Sequence, residues 1–529
     1  SSCVLRFVPA RRLADNSQSP PPYYLPHRRS RLPPGYCHPT STPETAILFH
    51  IMDGRKSSAS LGPRFCRAHP LAAAVFGTLL TVPSALFSEP EAPAPLFLPL
   101  RREVIPVHHG GKLVSFKTSY SGLVHAGGGR GRELRVVFDT GSGHVVLPAA
   151  TCRAKACLTK VRYNAEETGS YVDIDGERAS SGSRGDSLTI GFGKGEVRGH
   201  LVRDRLCLGP SPEEGSEADA ELCVETGIVA AYNMSSDPFE NFTFDGIVGL
   251  GLQSLAVSGH FSFLANLASK EGGRFSSGQF AVFLAEGDDE EESEIAFGGY
   301  NPAHLLEPLT WVPLTRTELG YWAVEVLGLY VDDVRLDVCS DGPCNGILDT
   351  GTSHLGVPPA HVDRLEELLL RPAGDVGDCR KIEAPVVRVE LRGFNLTILP
   401  ENYMRRLPLD EDLLQSMDSK ANSTEGAANH STADGAGAGN ATRMSCTAKL
   451  MQVKLPQLGP NAFLLGEPAL HRYYTAYDAK ALRVGLGLAA RRKRPPEPEM
   501  EVNHDEIFLM QQMQGVRPSA RQTGGTAGS

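Results

Sequence analysis

Two carboxylates in this chain sit in matching surroundings. Asp139 lies in Val136-Val137-Phe138-Asp139-Thr140-Gly141-Ser142-Gly143, and Asp349 in Gly346-Ile347-Leu348-Asp349-Thr350-Gly351-Thr352-Ser353. Each motif is an apolar run, then Asp-Thr-Gly, then a hydroxyl residue. Further apolar positions follow, Val145-Val146-Leu147 and Leu355-Gly356-Val357. Such flanks predict short buried strands with a tight turn at the glycine. An acid held there is costly unless its charge is used. A pair of them has a use: like charges a few ångströms apart share one proton. The ionised partner can act as general base on a water. The protonated partner can donate to a carbonyl as it becomes tetrahedral. No covalent intermediate is needed, and the apparent pKa values belong to the pair. The bland alternative is two Asx-type turns at strand ends, which does not account for the repetition.

The elements around the motifs are short. Helix-period segments are scarce and β-rich runs between Gly and Pro are frequent, which predicts an all-β protein. The length of 529 residues exceeds one ordinary domain and suits two lobes, one motif in each, plus extensions. A hydrophobic fraction of 41% supports a sizeable core, and a net charge of −10 argues against nucleic acid as a partner.

The arrangement resembles the pepsin-like aspartic proteases, whose two lobes each give one Asp-Thr-Gly loop to a shared dyad. The resemblance covers about residues 112–490. Its specific part is the two motifs together with two apolar-Gly elements in the right order, Phe244-Asp245-Gly246-Ile247-Val248-Gly249-Leu250-Gly251 and Phe463-Leu464-Leu465-Gly466. It implies a bilobal fold of two β-barrel-like lobes with the cleft between them, and a monomer. It implies an aspartic endopeptidase that holds a peptide extended in the cleft, prefers apolar residues beside the cut and acidic pH, binds pepstatin-type inhibitors and takes no cofactor or metal. Asp139 and Asp349 would be catalytic. Thr140 and Thr350 would brace the loops across the lobes, Gly141 and Gly351 would allow close approach, and Ser142 and Thr352 would bond the outer carboxylate oxygens.

Leu188-Thr189-Ile190-Gly191-Phe192-Gly193-Lys194-Gly195 resembles the family's flap, with Ile190, Gly191, Phe192 and Gly193 over the substrate. The family usually has Tyr at the flap tip and Trp a few residues after the first motif. Phe192 and Val146 stand here instead. Joint loss is coherent, because a buried N–H or O–H without its partner costs about 1–3 kcal/mol. The flap is then held by apolar contact. A second departure is Glu467, where the family commonly has Asp.

Of eleven cysteines, Cys3, Cys37 and Cys66 lie upstream of anything that reads as folded. The others form an even set on loops, as in a secreted protein. Cys152/Cys157, Cys339/Cys344 and Cys379/Cys446 resemble the family's disulfide pattern, and Cys207/Cys223 follows by elimination. A zinc reading of Cys339 and Cys344 finds no second Cys or His pair nearby. Sequons at Asn233, Asn241, Asn395, Asn422, Asn429 and Asn440 agree with secretion.

The order along the chain is then as follows. Residues 1–51 read as a leader or extension. Residues 52–85 read as a signal peptide or signal anchor, with a basic start and the apolar run Leu71–Val82. Residues 86–111 are a short prosegment or linker, 112–300 the first lobe, 301–490 the second, and 491–529 a disordered charged tail with no clear transmembrane anchor. The acidic run Asp288–Glu292 reads as solvated loop, His361–Leu370 as a helix, and 405–443 as a polar mobile insertion. The destination is the secretory pathway: secreted, endosomal, lysosomal or vacuolar. Two other classes compete. A non-catalytic peptide-binding protein on the same fold is favoured only by Phe192 and Val146. An adhesion protein would rest on Arg184-Gly185-Asp186.

Overall fold

The computed structural model describes residues 93–492, apart from 129–130, 169–171, 174–186, 194, 211–219, 288, 341, 411, 415 and 417–442. The leader, the signal segment, Arg184-Gly185-Asp186, Lys194, Asn422, Asn429, Asn440 and the tail beyond 492 lie outside the described residues.

The apolar runs form strands, and the two Asp-Thr-Gly motifs sit in the same three-strand frame. In the first lobe, Arg132–Asp139 pairs parallel with Gly246–Gly249, which pairs antiparallel with Val145–Pro148. In the second, Cys344–Leu348 pairs parallel with Ala462–Leu465, which pairs antiparallel with Leu355–Val357. Val145–Pro148, Gly246–Gly249, Cys344–Leu348, Leu355–Val357 and Ala462–Leu465 are buried along their whole length. This explains why they read as continuous apolar runs without alternation.

Fourteen strands make the larger sheet and eight the sheet of the second lobe. The larger sheet crosses the lobe boundary expected at 300. The final strands Tyr473–Asp478 and Arg483–Leu488 join it, the first of them beside Gln279–Phe283 with Phe280 opposite Tyr477. An aromatic core fills the junction. Phe280 stacks on Tyr477 at 4.6 Å, and Trp322 meets both edge-on at 5.6 and 5.1 Å. Trp322 Nε1–H donates to Leu250 O at 2.8 Å, so the buried indole is satisfied from the opposite lobe.

Three expectations need correction. Leu96–His109, within the stretch read as prosegment or linker, is a 14-residue strand paired with Ser293–Phe297 on one side and Lys112–Ala126 on the other. The run 288–292 is not simply solvated: Asp289 is 2% exposed and pairs with Arg491, and Glu291 pairs with Arg492. The first two residues of the expected disordered tail are therefore docked by charge. The polar insertion is ordered at its edges, where Leu409–Asp410 pairs with Met444–Cys446. The helix runs over Pro359–Leu369 and buries Val362, Leu365 and Leu369 on one face. Cys152–Cys157, Cys207–Cys223, Cys339–Cys344 and Cys379–Cys446 are disulfides.

Candidate active site

Each Asp lies where a buried strand gives way to a turn, and the two turns meet. Thr140 N–H donates to Thr350 Oγ1 at 3.1 Å, and Thr350 N–H to Thr140 Oγ1 at 3.0 Å. Each hydroxyl then donates onward into the other lobe, Thr140 Oγ1 to Leu348 O at 2.8 Å and Thr350 Oγ1 to Phe138 O at 2.7 Å. Four hydrogen bonds thus fix one loop against the other, and every polar group in the grip is satisfied.

The glycines show how closely the loops approach. A Cβ on Gly141 would lie 2.7 Å from both carboxylate oxygens of Asp349, and one on Gly351 would lie 2.4 Å from Asp139 Oδ1. Each glycine therefore packs on the opposing acid, and a side chain there would push the acids apart. Within its own loop, Gly141 N–H donates to Asp139 Oδ1 and Gly351 N–H to Asp349 Oδ1, both at 2.9 Å.

The fourth residue of each motif behaves differently. Thr352 Oγ1 donates to Asp349 Oδ2 at 2.6 Å. Ser142 Oγ is close enough to favour ionisation of Asp139, yet it makes no hydrogen bond of normal geometry among the described residues. Both acids are buried, Asp139 at 8% and Asp349 at 7% exposure. Burial raises both pKa values. For Asp349 the Asp139 charge adds to the rise, and bonds from Thr352 and Gly351 oppose it.

The hairpin over the first lobe joins Ser187–Phe192 to Gly195–Leu208, with Ile190 opposite Val197 and Gly191 opposite Glu196. Gly193 makes the turn at φ +57°. Ile190 is buried with Val146, and Phe192 packs edge-on against Phe239 at 5.8 Å. Val146 and Phe192 thus share one apolar cluster, Phe192 at its partly buried edge. Asn233, Asn241 and Asn395 are exposed.

Two buried polar side chains near the motifs had no role assigned to them from the sequence. Tyr321, 3% exposed, receives a hydrogen bond on its hydroxyl from Gln457 Nε2 at 3.1 Å. Its pKa is pushed up to about 12, first by burial and then by the Asp349 and Asp139 charges. In sequence it is one residue of an apolar strand start. His144 follows the first motif and is buried; its Nε2 accepts from Val257 N–H at 2.9 Å, and burial pushes its pKa down to about 4. A neutral ring that accepts is thereby fixed in the turn.

Two mirrored Asp-Thr-Gly loops, cross-bonded at the junction of two β lobes, define a bilobal aspartic-protease scaffold. A sequence model described as "eukaryotic aspartyl protease" matches residues 119–412, more than half of the chain, and the chain belongs to that family. It is 27% identical to cathepsin E of Rattus norvegicus over 375 residues, covering 70% of this chain and 80% of that protein. It is 26% identical to cathepsin D of Clupea harengus over 359 residues, 66% of this chain and 76% of that protein. Over 238 residues it is 32% identical to pregnancy-associated glycoprotein 2 of Sus scrofa, 45% of this chain and 50% of that protein.

Proposed function

We propose that the chain is an aspartic endopeptidase in which Asp139 and Asp349 are the catalytic pair. The observation that supports this most is the packing of Gly141 and Gly351 against the opposing carboxylates, which holds two buried acids where they must share a proton. One carboxylate is ionised and the other protonated. The ionised acid takes a proton from a water as its oxygen attacks the scissile carbonyl carbon. The protonated acid gives its proton to the carbonyl oxygen, forming a neutral tetrahedral diol. The acid now protonated gives its proton to the amide nitrogen while the other takes one from a diol hydroxyl, so the C–N bond breaks, carboxylic acid and amine are released, and the pair again holds one proton.

The peptide lies extended beneath the 187–208 hairpin, whose strand edges offer main-chain hydrogen bonds. The apolar surroundings of Ile190 and Phe192 support a preference for apolar side chains beside the cut. Four disulfides support an oxidising compartment of the secretory route. Among the described residues, no helix is long and apolar enough to cross a membrane.

The test is cleavage of a peptide library by the full chain between pH 3 and 8, with Asp139→Ala alongside and a pepstatin-type inhibitor as competitor. Cleavage abolished by the substitution and by the inhibitor is expected. A folded chain that binds peptides and cuts none would favour a non-catalytic peptide-binding protein, the reading to which Phe192 and Val146 lend some weight.

A further inference from the structure

A buried charge cluster that the dyad chemistry does not use stands behind the second loop. The short helix Glu467–Leu470 follows the strand Ala462–Leu465, and Glu467 N–H donates to Thr352 O at 2.8 Å. Thr352 is the residue whose hydroxyl holds Asp349. His471 comes directly after the helix, is 3% exposed, and its backbone N–H closes on Glu467 O at 2.8 Å. Its ring reaches the first lobe. Nε2 lies 2.6 Å from Tyr120 Oη and 3.2 Å from Glu467 Oε1, while Nδ1 lies 3.1 Å from Glu286 Oε1. Tyr120 belongs to Lys112–Ala126, which pairs directly with the strand ending in Asp139, Ser121 opposite Val137.

Polar groups of both lobes close on the ring. Tyr120 Oη also reaches Ala285 O at 3.2 Å, and each ring nitrogen has a carboxylate oxygen within ion-pair distance. The other charges around it are Lys449, whose Nζ lies 3.9 Å from Glu467 Oε1, and Arg102, which acts on Tyr120 from the strand Leu96–His109.

We propose that His471 is a positioning residue, a buried ring held between Glu286 and Glu467 that ties the first-lobe sheet to the loop of Asp349 and so sets the spacing of the two acids. This rests on the protease reading above. Removing the ring takes the shared contact from Tyr120, Glu286 and Glu467, which loosens the tie.

The experiment measures kcat and KM of the full chain from pH 3 to 8 for wild type, His471→Gln, His471→Arg and Tyr120→Phe, with folding checked by circular dichroism. His471→Gln is expected to lower kcat about 10-fold at pH 4 with KM within about 2-fold. His471→Arg, whose guanidinium can meet both carboxylates, should restore kcat at pH 4. Equal losses in the Gln and Arg variants, or a wild-type profile in the Gln variant, would overturn the proposal. If His471→Gln does not fold, Tyr120→Phe decides: it should lower kcat with KM within about 2-fold, and an unchanged kcat counts against the tie. If wild type cuts nothing, the protease reading fails separately. Affinity for a statine-bearing peptide, which bridges both acids, then reads their spacing. Affinity about 10-fold weaker in His471→Gln and restored in His471→Arg supports the tie; equal affinities overturn it.

Discussion

The two Asp-Thr-Gly loops share one backbone frame and differ in what surrounds it. Both use a parallel strand, an antiparallel strand and a cross-bonded threonine. In both, a residue two positions past the apolar-Gly strand holds the carbonyl of the motif's hydroxyl residue: Gly251 to Ser142 O and Glu467 to Thr352 O, both at 2.8 Å. Gly251 brings no side chain, whereas Glu467 brings a carboxylate and, through His471, a contact with the other lobe. The first lobe instead carries the hairpin with Phe192. Duplication of the backbone is thus compatible with a division of labour, the first loop lying under the hairpin and the second buttressed from behind.

Substitutions can break this symmetry in graded ways. The largest effect is expected from Gly351→Ala, whose methyl would meet Asp139 Oδ1 at 2.4 Å. A displacement of the acids on that scale should cost about 100-fold or more in kcat/KM, measured against an unchanged circular dichroism spectrum. Thr140→Val and Thr350→Val each delete a hydroxyl that accepts one interlobe bond and donates another. Each should lower unfolding free energy by about 2–4 kcal/mol in urea titrations, since two buried partners lose their bond. Near-equal values would show that the grip is shared evenly; a one-sided loss would show that one loop leads.

The hydroxyl residues should separate the loops. Thr352→Val removes the 2.6 Å bond to Asp349 and should reduce kcat about 10-fold. Ser142→Ala removes no bond of normal geometry and should cost less than about 3-fold. A reversed ranking would contradict the account of the outer oxygens.

The smallest effect is a linkage effect on stability. Burial and the Asp139 charge hold the Asp349 pKa above its unfolded value, so the native state binds that proton more tightly. The resulting stabilisation is complete below the unfolded carboxylate pKa of about 4 and is lost as pH rises through the raised native value. Asp349→Asn cannot ionise, so its Tm relative to wild type should climb from pH 4 to pH 8. A constant difference would mean that the acid is not held protonated by its surroundings.

The duplicated frame was legible in the sequence because its strands are buried on both faces and carry continuous apolar runs between glycines. The dyad, the threonine pair and the hairpin were assigned from Val136–Gly143, Gly346–Ser353 and Leu188–Gly195 through their resemblance to the pepsin-like pattern, whose motifs are each local in sequence. What was hidden depends on contacts between distant segments. Leu96–His109 is rich in Pro, Arg and His and fully buries only Leu98 and Leu100, so its sequence carries little apolar signal. Asp289 looked solvated until Arg491, 202 residues later, closed on it. His471 lies 351 residues from Tyr120, and neither belongs to a motif. Glu467 was visible as a departure, but its meaning required His471 and Glu286.

The most direct test of the central claim is the pH profile of kcat/KM for wild type, Asp139→Asn and Asp349→Asn on one peptide that the wild type cuts. A shared-proton pair predicts a bell-shaped profile for the wild type and a loss of about 1,000-fold or more in both variants across the whole range. Either variant retaining wild-type turnover at any pH would contradict the two-acid mechanism.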